Sequence, residues 1–182
     1  MKFNDPPVLN FISVHGPHAG VAGVPRCDPG DNAILKGLCD LLDLLLGDFV
    51  YTPAIQSSIA QSNYFRDPLK ISEYLSGSAF LPFFLENPPK EYRDRFVQIK
   101  KLVLIMAKRD TMIFPKESEY FGAFQDGGWS KIIPGNEQPW YETLGLKEMD
   151  QNKKIVTLTT EGDHLAFSAN ELYTWLDQFF MQ

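Results

Sequence analysis

At 182 residues, with 44% hydrophobic and 13% aromatic side chains, the chain can bury a sizeable core in one domain, which excludes a disordered protein. Its 17 lysines and arginines against 23 aspartates and glutamates leave a net charge of −6, and no basic run forms the stripe that a nucleic-acid surface needs, so nucleic acid is not an expected partner. The longest apolar stretch, around Leu41 to Leu46, is broken by Asp43 and closed by Gly47, far short of the ~18 residues of a membrane span, so no transmembrane segment is expected.

Val8 to Val14 is the first nearly continuous apolar run. It is interrupted by Asn10 and Ser13 and leads into His15-Gly16-Pro17 without a small-residue cleavage site, so it reads as a buried strand and not as a signal peptide. His15 and His18 have an i, i+3 spacing that a metal could use on a helix. Here they flank Gly16-Pro17 in a loop with no third ligand evident, so a structural turn near an active-site rim is the expectation, with no metal and no cofactor. Cys27 and Cys39, the two cysteines, are too few for a disulfide scaffold and are not spaced for zinc; two free thiols or one bridge fit equally. Asp31 or Asn32 can cap a helix bearing Leu35, Leu38, Leu42 and Leu45 before Gly47 ends it.

Asp67-Pro68 predicts an N-cap followed by proline at the first helical position, with Ile71 and Leu75 facing one way until Gly77. The apolar stretch Phe80 to Leu85 suits a core plug or the wall of a groove for a hydrophobic ligand, core packing being the commoner outcome. Asn87-Pro88 repeats the start signal ahead of Tyr92, Phe96 and Ile99. Strands follow at Leu102 to Ala107 and Ile155 to Thr159, and Ser168 with Glu171 forms a capping box for a last helix bearing Leu172, Leu176 and Phe179. Strands alternate with helices, so the class is α/β with parallel strands. The long interval between the first two strands implies a helical, lid-like insertion at about residues 28–100 within one domain spanning 1–182.

In an open parallel sheet, reactive groups gather in the loops at the carboxyl ends of the strands. The second strand runs into Lys108-Arg109-Asp110, and the third into Glu161-Gly162-Asp163-His164. A carboxylate that fixes the tautomer of a histidine, which then takes a nucleophile's proton, is the acid–base half of a hydrolase triad, and acid before histidine is the α/β-hydrolase order. Asp110 would orient and His164 would be the base. Singly, a loop aspartate is more often a turn former and a loop histidine a solvated residue; their pairing at consecutive strand ends raises the catalytic reading. Asp163 is the rival acid, but neighbours in one loop rarely point at each other's ring.

Several stretches resemble the palmitoyl-protein thioesterase family in order along the chain. These are Ile12 to Val21 with Val24 to Cys27, Asn63 to Pro68, Asp110 to Gly122 around Ser118-Glu119-Tyr120-Phe121-Gly122, Leu144 to Asp150, and Thr160 to Leu165. The resemblance implies an α/β-hydrolase fold with a Ser-Asp-His triad that cleaves long-chain acyl groups from S-acylated proteins in the lysosome. It makes Asp110 the triad aspartate, His164 the triad histidine, and Tyr64, Phe65, Phe80, Phe83 and Phe84 contacts of an acyl groove. It also implies a bridge from Cys27 to a cysteine shortly after it, although Cys39 stands farther along than the family spacing. None of the eight asparagines begins an N-glycosylation sequon.

No Gly-x-Ser-x-Gly elbow occurs in the 182 residues, so no nucleophile serine can be assigned. The chain is therefore expected to resemble only the C-terminal half of the family, a partial α/β-hydrolase fold whose elbow and oxyanion donors belong to an N-terminal half that acts as its partner. Alone it is expected to be inactive. The alternative is a non-catalytic lipid-binding or regulatory relative, though such a role would not need both Asp110 and His164.

Overall fold

A computed structural model describes residues 6–23 and 49–181. The expected helix over 31–47 and the Cys27–Cys39 question lie outside the described residues. In chain order the main elements are β1 (Asn10–Val14), α1 (Pro53–Ser58), α2 (Ile71–Gly77), α3 (Lys90–Phe96), β2 (Lys101–Ala107), β3 (Ala123–Phe124), β4 (Ile132–Ile133), α4 (Trp140–Thr143), α5 (Leu146–Gln151), β5 (Ile155–Thr160) and α6 (Ala169–Phe180). The three apolar runs all become strands of one parallel sheet, in the order β1-β2-β5, and the fold is α/β as expected. A short antiparallel ribbon of β3 and β4, which no sequence signal announced, lies apart from it.

β2 is the central strand, and its side chains alternate between two cores because successive residues of a strand face opposite sides. Leu102 and Leu104 join a large core with Tyr74, Leu81, Leu85, Phe96, Trp140, Leu144 and Met149. Val103 and Ile105 face the other way, onto Trp175 and Phe179 of α6. Burying a large apolar side chain is worth roughly 1.5–3 kcal/mol, so a strand filled on both faces anchors the molecule. α6 begins with the expected box: the Ser168 hydroxyl accepts from Glu171 N at 3.2 Å, and the Glu171 carboxylate accepts from Ser168 N at 2.7 Å. Its buried residues are Trp175 and Phe179, while Leu172 and Leu176 stay exposed.

Two start signals act differently from expectation. Asp67 Oδ1 accepts from Leu69 N at 2.9 Å and its carbonyl accepts from Lys70 N, which makes Asp67-Pro68 a turn; α2 starts only at Ile71 and buries Tyr74, leaving Leu75 exposed. An aspartate satisfied by the amide two residues on has closed a local ring in place of a helix cap. The Asn87-Pro88 signal likewise precedes a helix that begins at Lys90. In the Phe80 to Leu85 stretch Leu81 and Leu85 plug the large core, as the commoner outcome had it, while Phe80 and, in a single π-helical turn over Pro82–Glu86, Phe83 stay exposed.

Arg66 ties α2 to α4. Its guanidinium is buried over the rings of Tyr74, 5.4 Å from the centroid, and Trp140, 5.3 Å, while pairing with Asp126 at 2.6 Å and donating to Phe124 O. Planar, weakly hydrated guanidinium suits such stacked burial better than an ammonium would.

Candidate active site

The register sets Val14 of β1 opposite Ile105 of β2, and Ile105 opposite Leu158 of β5, so the three strands deliver their following loops to one end of the sheet. Those loops are tied together by backbone bonds from Lys108 N to Thr160 O and from Arg109 N to Gly162 O, and the strand tips by one from His15 N to Ile105 O.

At this end His164 Nδ1 lies 2.7 Å from Asp110 Oδ2. The Asp110 side chain is fully buried and that of His164 16% exposed, so a buried carboxylate holds a ring that still reaches the surface. Asp110 Oδ1 accepts from Met112 N and Ile113 N, both at 2.7 Å. Three donors converge on one carboxylate, which fixes it in place. Nδ1 donates to it, leaving His164 Nε2 as the nitrogen with a free lone pair. Asp163 has another task. Its carboxylate accepts from Thr111 N at 2.8 Å and His164 N at 2.7 Å, and from the Thr111 hydroxyl, and these bonds hold its acidity above the usual aspartate's. It staples the two loops and does not touch the imidazole's nitrogens.

His15 turns out to belong to this site. It follows β1 with a left-handed backbone (φ 55°), and its ring is 5.8 Å from that of His164. Leu165 N donates to His15 Nδ1 at 2.8 Å, so Nε2 carries the proton and donates to the Thr160 hydroxyl at 2.9 Å. Burial, and then His164, lower its proton affinity, which keeps the ring neutral. His15, Asp110 and His164 bring ligand-type atoms within 4.8 Å of one another, but both His15 nitrogens are already engaged, so the ring has no lone pair to offer a metal ion. His18, by contrast, stacks on Phe121 at 4.6 Å, and burial pushes it down to about 4.

Glu119, in the 3-10 turn Lys116–Tyr120, is the second group that sequence reasoning missed. It is 1% exposed, accepts from Ala107 N at 3.0 Å, and burial followed by the negative charge of Asp110, against that one hydrogen bond, pushes its carboxyl up to about 8. In the sequence it stands in Lys116-Glu117-Ser118-Glu119-Tyr120, and nothing in that mixed polar stretch says which of the two carboxyls is buried. Among the described residues no serine hydroxyl is hydrogen-bonded to the His164 ring.

Of the five aromatic residues expected at an acyl groove, Phe80, Phe83 and Phe84 line a groove of about 410 Å³ together with Pro88, Tyr92 and Leu144. Tyr64 packs on Phe80 at 5.5 Å, and Phe80 stacks on Phe84 at 5.7 Å. Phe65 points elsewhere, into a small core with Val50, Val21 and Tyr51.

The sequence model described as palmitoyl protein thioesterase matches residues 1–164. Palmitoyl-protein thioesterase 1 of Caenorhabditis elegans is 36% identical over 165 residues, 88% of this chain and 54% of that protein. Palmitoyl-protein thioesterase 3 of Dictyostelium discoideum is 29% identical over 170 residues, 90% of this chain and 55% of its own length. The lysosomal thioesterase PPT2 of Mus musculus is 31% identical over 171 residues, covering 90% of this chain and 53% of that one. The chain spans about half the length of the curated relatives it matches. With the match running from residue 1 to His164, the chain belongs to the palmitoyl-protein thioesterase family.

Proposed function

We propose that this chain supplies the acid and the base of a serine-hydrolase triad that cleaves long-chain acyl thioesters on S-acylated proteins, with Asp110 orienting His164. The observation that carries the reading is the 2.7 Å contact between Asp110 Oδ2 and His164 Nδ1 at the carboxyl end of a parallel sheet. In this reading residues 1–182 form the C-terminal part of one α/β-hydrolase domain, and the helical insertion at about 28–100 carries the acyl groove through Tyr64, Phe80, Phe83 and Phe84. The lysosomal names of several relatives suit a lysosomal place of action.

His164 Nε2 takes the proton of a serine hydroxyl as it attacks the thioester carbonyl, and Asp110 stabilises the imidazolium that forms. The tetrahedral intermediate collapses, the thiolate leaves and takes up the proton, and water then hydrolyses the acyl-serine with His164 again as base. The hydroxyl comes from outside the described residues, where no serine bonds the His164 ring. Without it and without oxyanion donors, the 182-residue chain alone turns over no substrate.

The test is turnover of a palmitoyl thioester, together with labelling by a fluorophosphonate, for the chain alone and for the chain co-expressed with the unmatched part of the Caenorhabditis relative. Activity only in the pair, abolished by His164→Ala, supports the reading. Turnover with a covalent adduct by the chain alone overturns it. The aromatic groove favours one further reading, lipid binding without hydrolysis. That reading requires fatty-acid binding together with no turnover in any complemented form.

A further inference from the structure

Glu119 and Asp110 are two buried carboxyl groups side by side with no cation between them. Glu119 Oε1 is enclosed and receives no hydrogen bond, and the Glu119 side chain lies within hydrogen-bonding reach of the Asp110 carboxyl. Among the described residues, no lysine or arginine forms an ion pair with Glu119. The charged and titratable groups facing it are Asp110 and, more weakly, Glu117, with Tyr120 adjacent in the same turn and His164 on the far side of Asp110. In one buried site, the charge of one carboxylate raises the proton affinity of the other.

Which of the two keeps the proton follows from the donors each one has. Asp110 takes three, from Met112 N, Ile113 N and His164 Nδ1, so its oxygens are already accepting. Glu119 takes one, from Ala107 N, and has an orphaned oxygen. The proton therefore resides on Glu119, and its acceptor is Asp110.

We propose that Glu119 is a positioning residue of this site, a buried carboxylic acid whose O–H donates to Asp110 and holds that carboxylate against His164 Nδ1. The inference rests on the reading of Asp110 and His164 as an acid–base pair. Glu119 reaches no substrate. It acts through Asp110, supplying the fourth hydrogen bond around the carboxylate and anchoring it to the end of β2 through Ala107. When Glu119 ionises, the donor is lost and two like charges face each other behind the histidine.

The test is NMR of the full chain, following the Glu119 side-chain carboxyl carbon and the proton on His164 Nδ1 from pH 5 to 10 (a range of about five units around the neutral point). In the wild type the Glu119 carbon is expected to titrate near pH 8, and the His164 Nδ1 proton to shift over the same interval. Asp110→Asn removes the neighbouring charge and should bring the Glu119 midpoint down by at least about one pH unit. Glu119→Gln keeps a neutral donor of the same shape; it should leave the His164 proton resonance in place and abolish its movement near pH 8. Glu119→Leu should shift that resonance or lose it to exchange at least about tenfold faster.

A Glu119 midpoint in the ordinary carboxylate range overturns the proposal, and so does a pH response that survives Glu119→Gln. Both readouts stand if Glu119→Leu fails to fold. If Asp110→Asn leaves the His164 proton unchanged, the acid–base pair itself is wrong and the inference falls with it. If Asp110→Asn removes that signal while Glu119→Gln changes nothing, the pair stands and only the role of Glu119 is refuted.

Discussion

Burial moves three side chains at the carboxyl end of the sheet off their ordinary proton affinities, and they do so in opposite directions. His18 is pushed down to about 4 from 6.5, so between those values the unfolded chain binds the extra proton and stability rises with pH. His15, also lowered, adds a rise below 6.5. Glu119 is pushed up from 4.5 to about 8, so between those values the folded chain holds the extra proton and stability falls as pH rises. Of the three, Glu119 acts alone between pH 6.5 and about 8. Urea unfolding should therefore show stability declining from pH 6.5 toward pH 8, a decline that Glu119→Gln flattens. An undiminished decline in that variant would refute the assignment. At this scale Asp110 and His164 were legible, because each directly follows an apolar run and strand ends are where side chains converge. His15 was read as a turn residue near an active-site rim, and Glu119 only as part of a family-like stretch, with no role of its own. Their roles depend on partners 150 and 12 residues away in the chain, Leu165 and Ala107, and spacing carries no trace of such contacts.

Among the elements, the three strands and the last helix were the most legible, since continuous apolar runs and a reciprocal Ser-x-x-Glu cap leave little freedom. The cap supports a direct test: Ser168→Ala should cost about 1 kcal/mol in denaturant unfolding and raise amide exchange in the first turn of α6, with Ser168→Thr recovering most of it. Equal stability of Ser168→Ala and the wild type would show that packing of Trp175 and Phe179 alone holds the helix. Asp67-Pro68 and Asn87-Pro88 were less legible. Aspartate or asparagine before proline starts a turn as readily as a helix, and the sequence does not say which backbone amide its oxygen will meet. In α2 Ile71 packs on the core as its spacing suggested, but Tyr74, buried under the Arg66 guanidinium, takes the place expected of Leu75, which stays exposed. The β3–β4 ribbon of two-residue strands is too short to leave a period.

On the scale of the whole molecule, β1 has a partner on one side only among the described residues, and Phe11 on it is exposed together with Leu172, Leu176 and Phe180 of α6. An unpaired strand edge beside exposed apolar side chains is a template for association. Sedimentation of the chain alone should show mass increasing with concentration, suppressed when the co-expressed complement is present; a concentration-independent monomer would refute this. Parallel topology was legible as a class, but the aromatic stacking of Tyr64 on Phe80 and Phe80 on Phe84 was not, since it depends on tertiary placement that no spacing records. Arg66 marks the junction of α2 and α4, and it carries an optical consequence. Trp140 is enclosed beneath a cation, whereas Trp129 lies 42% exposed. Loosening of α2 from α4 would therefore uncover one indole first, so a red shift in its emission would clock their detachment separately from the melting of the sheet.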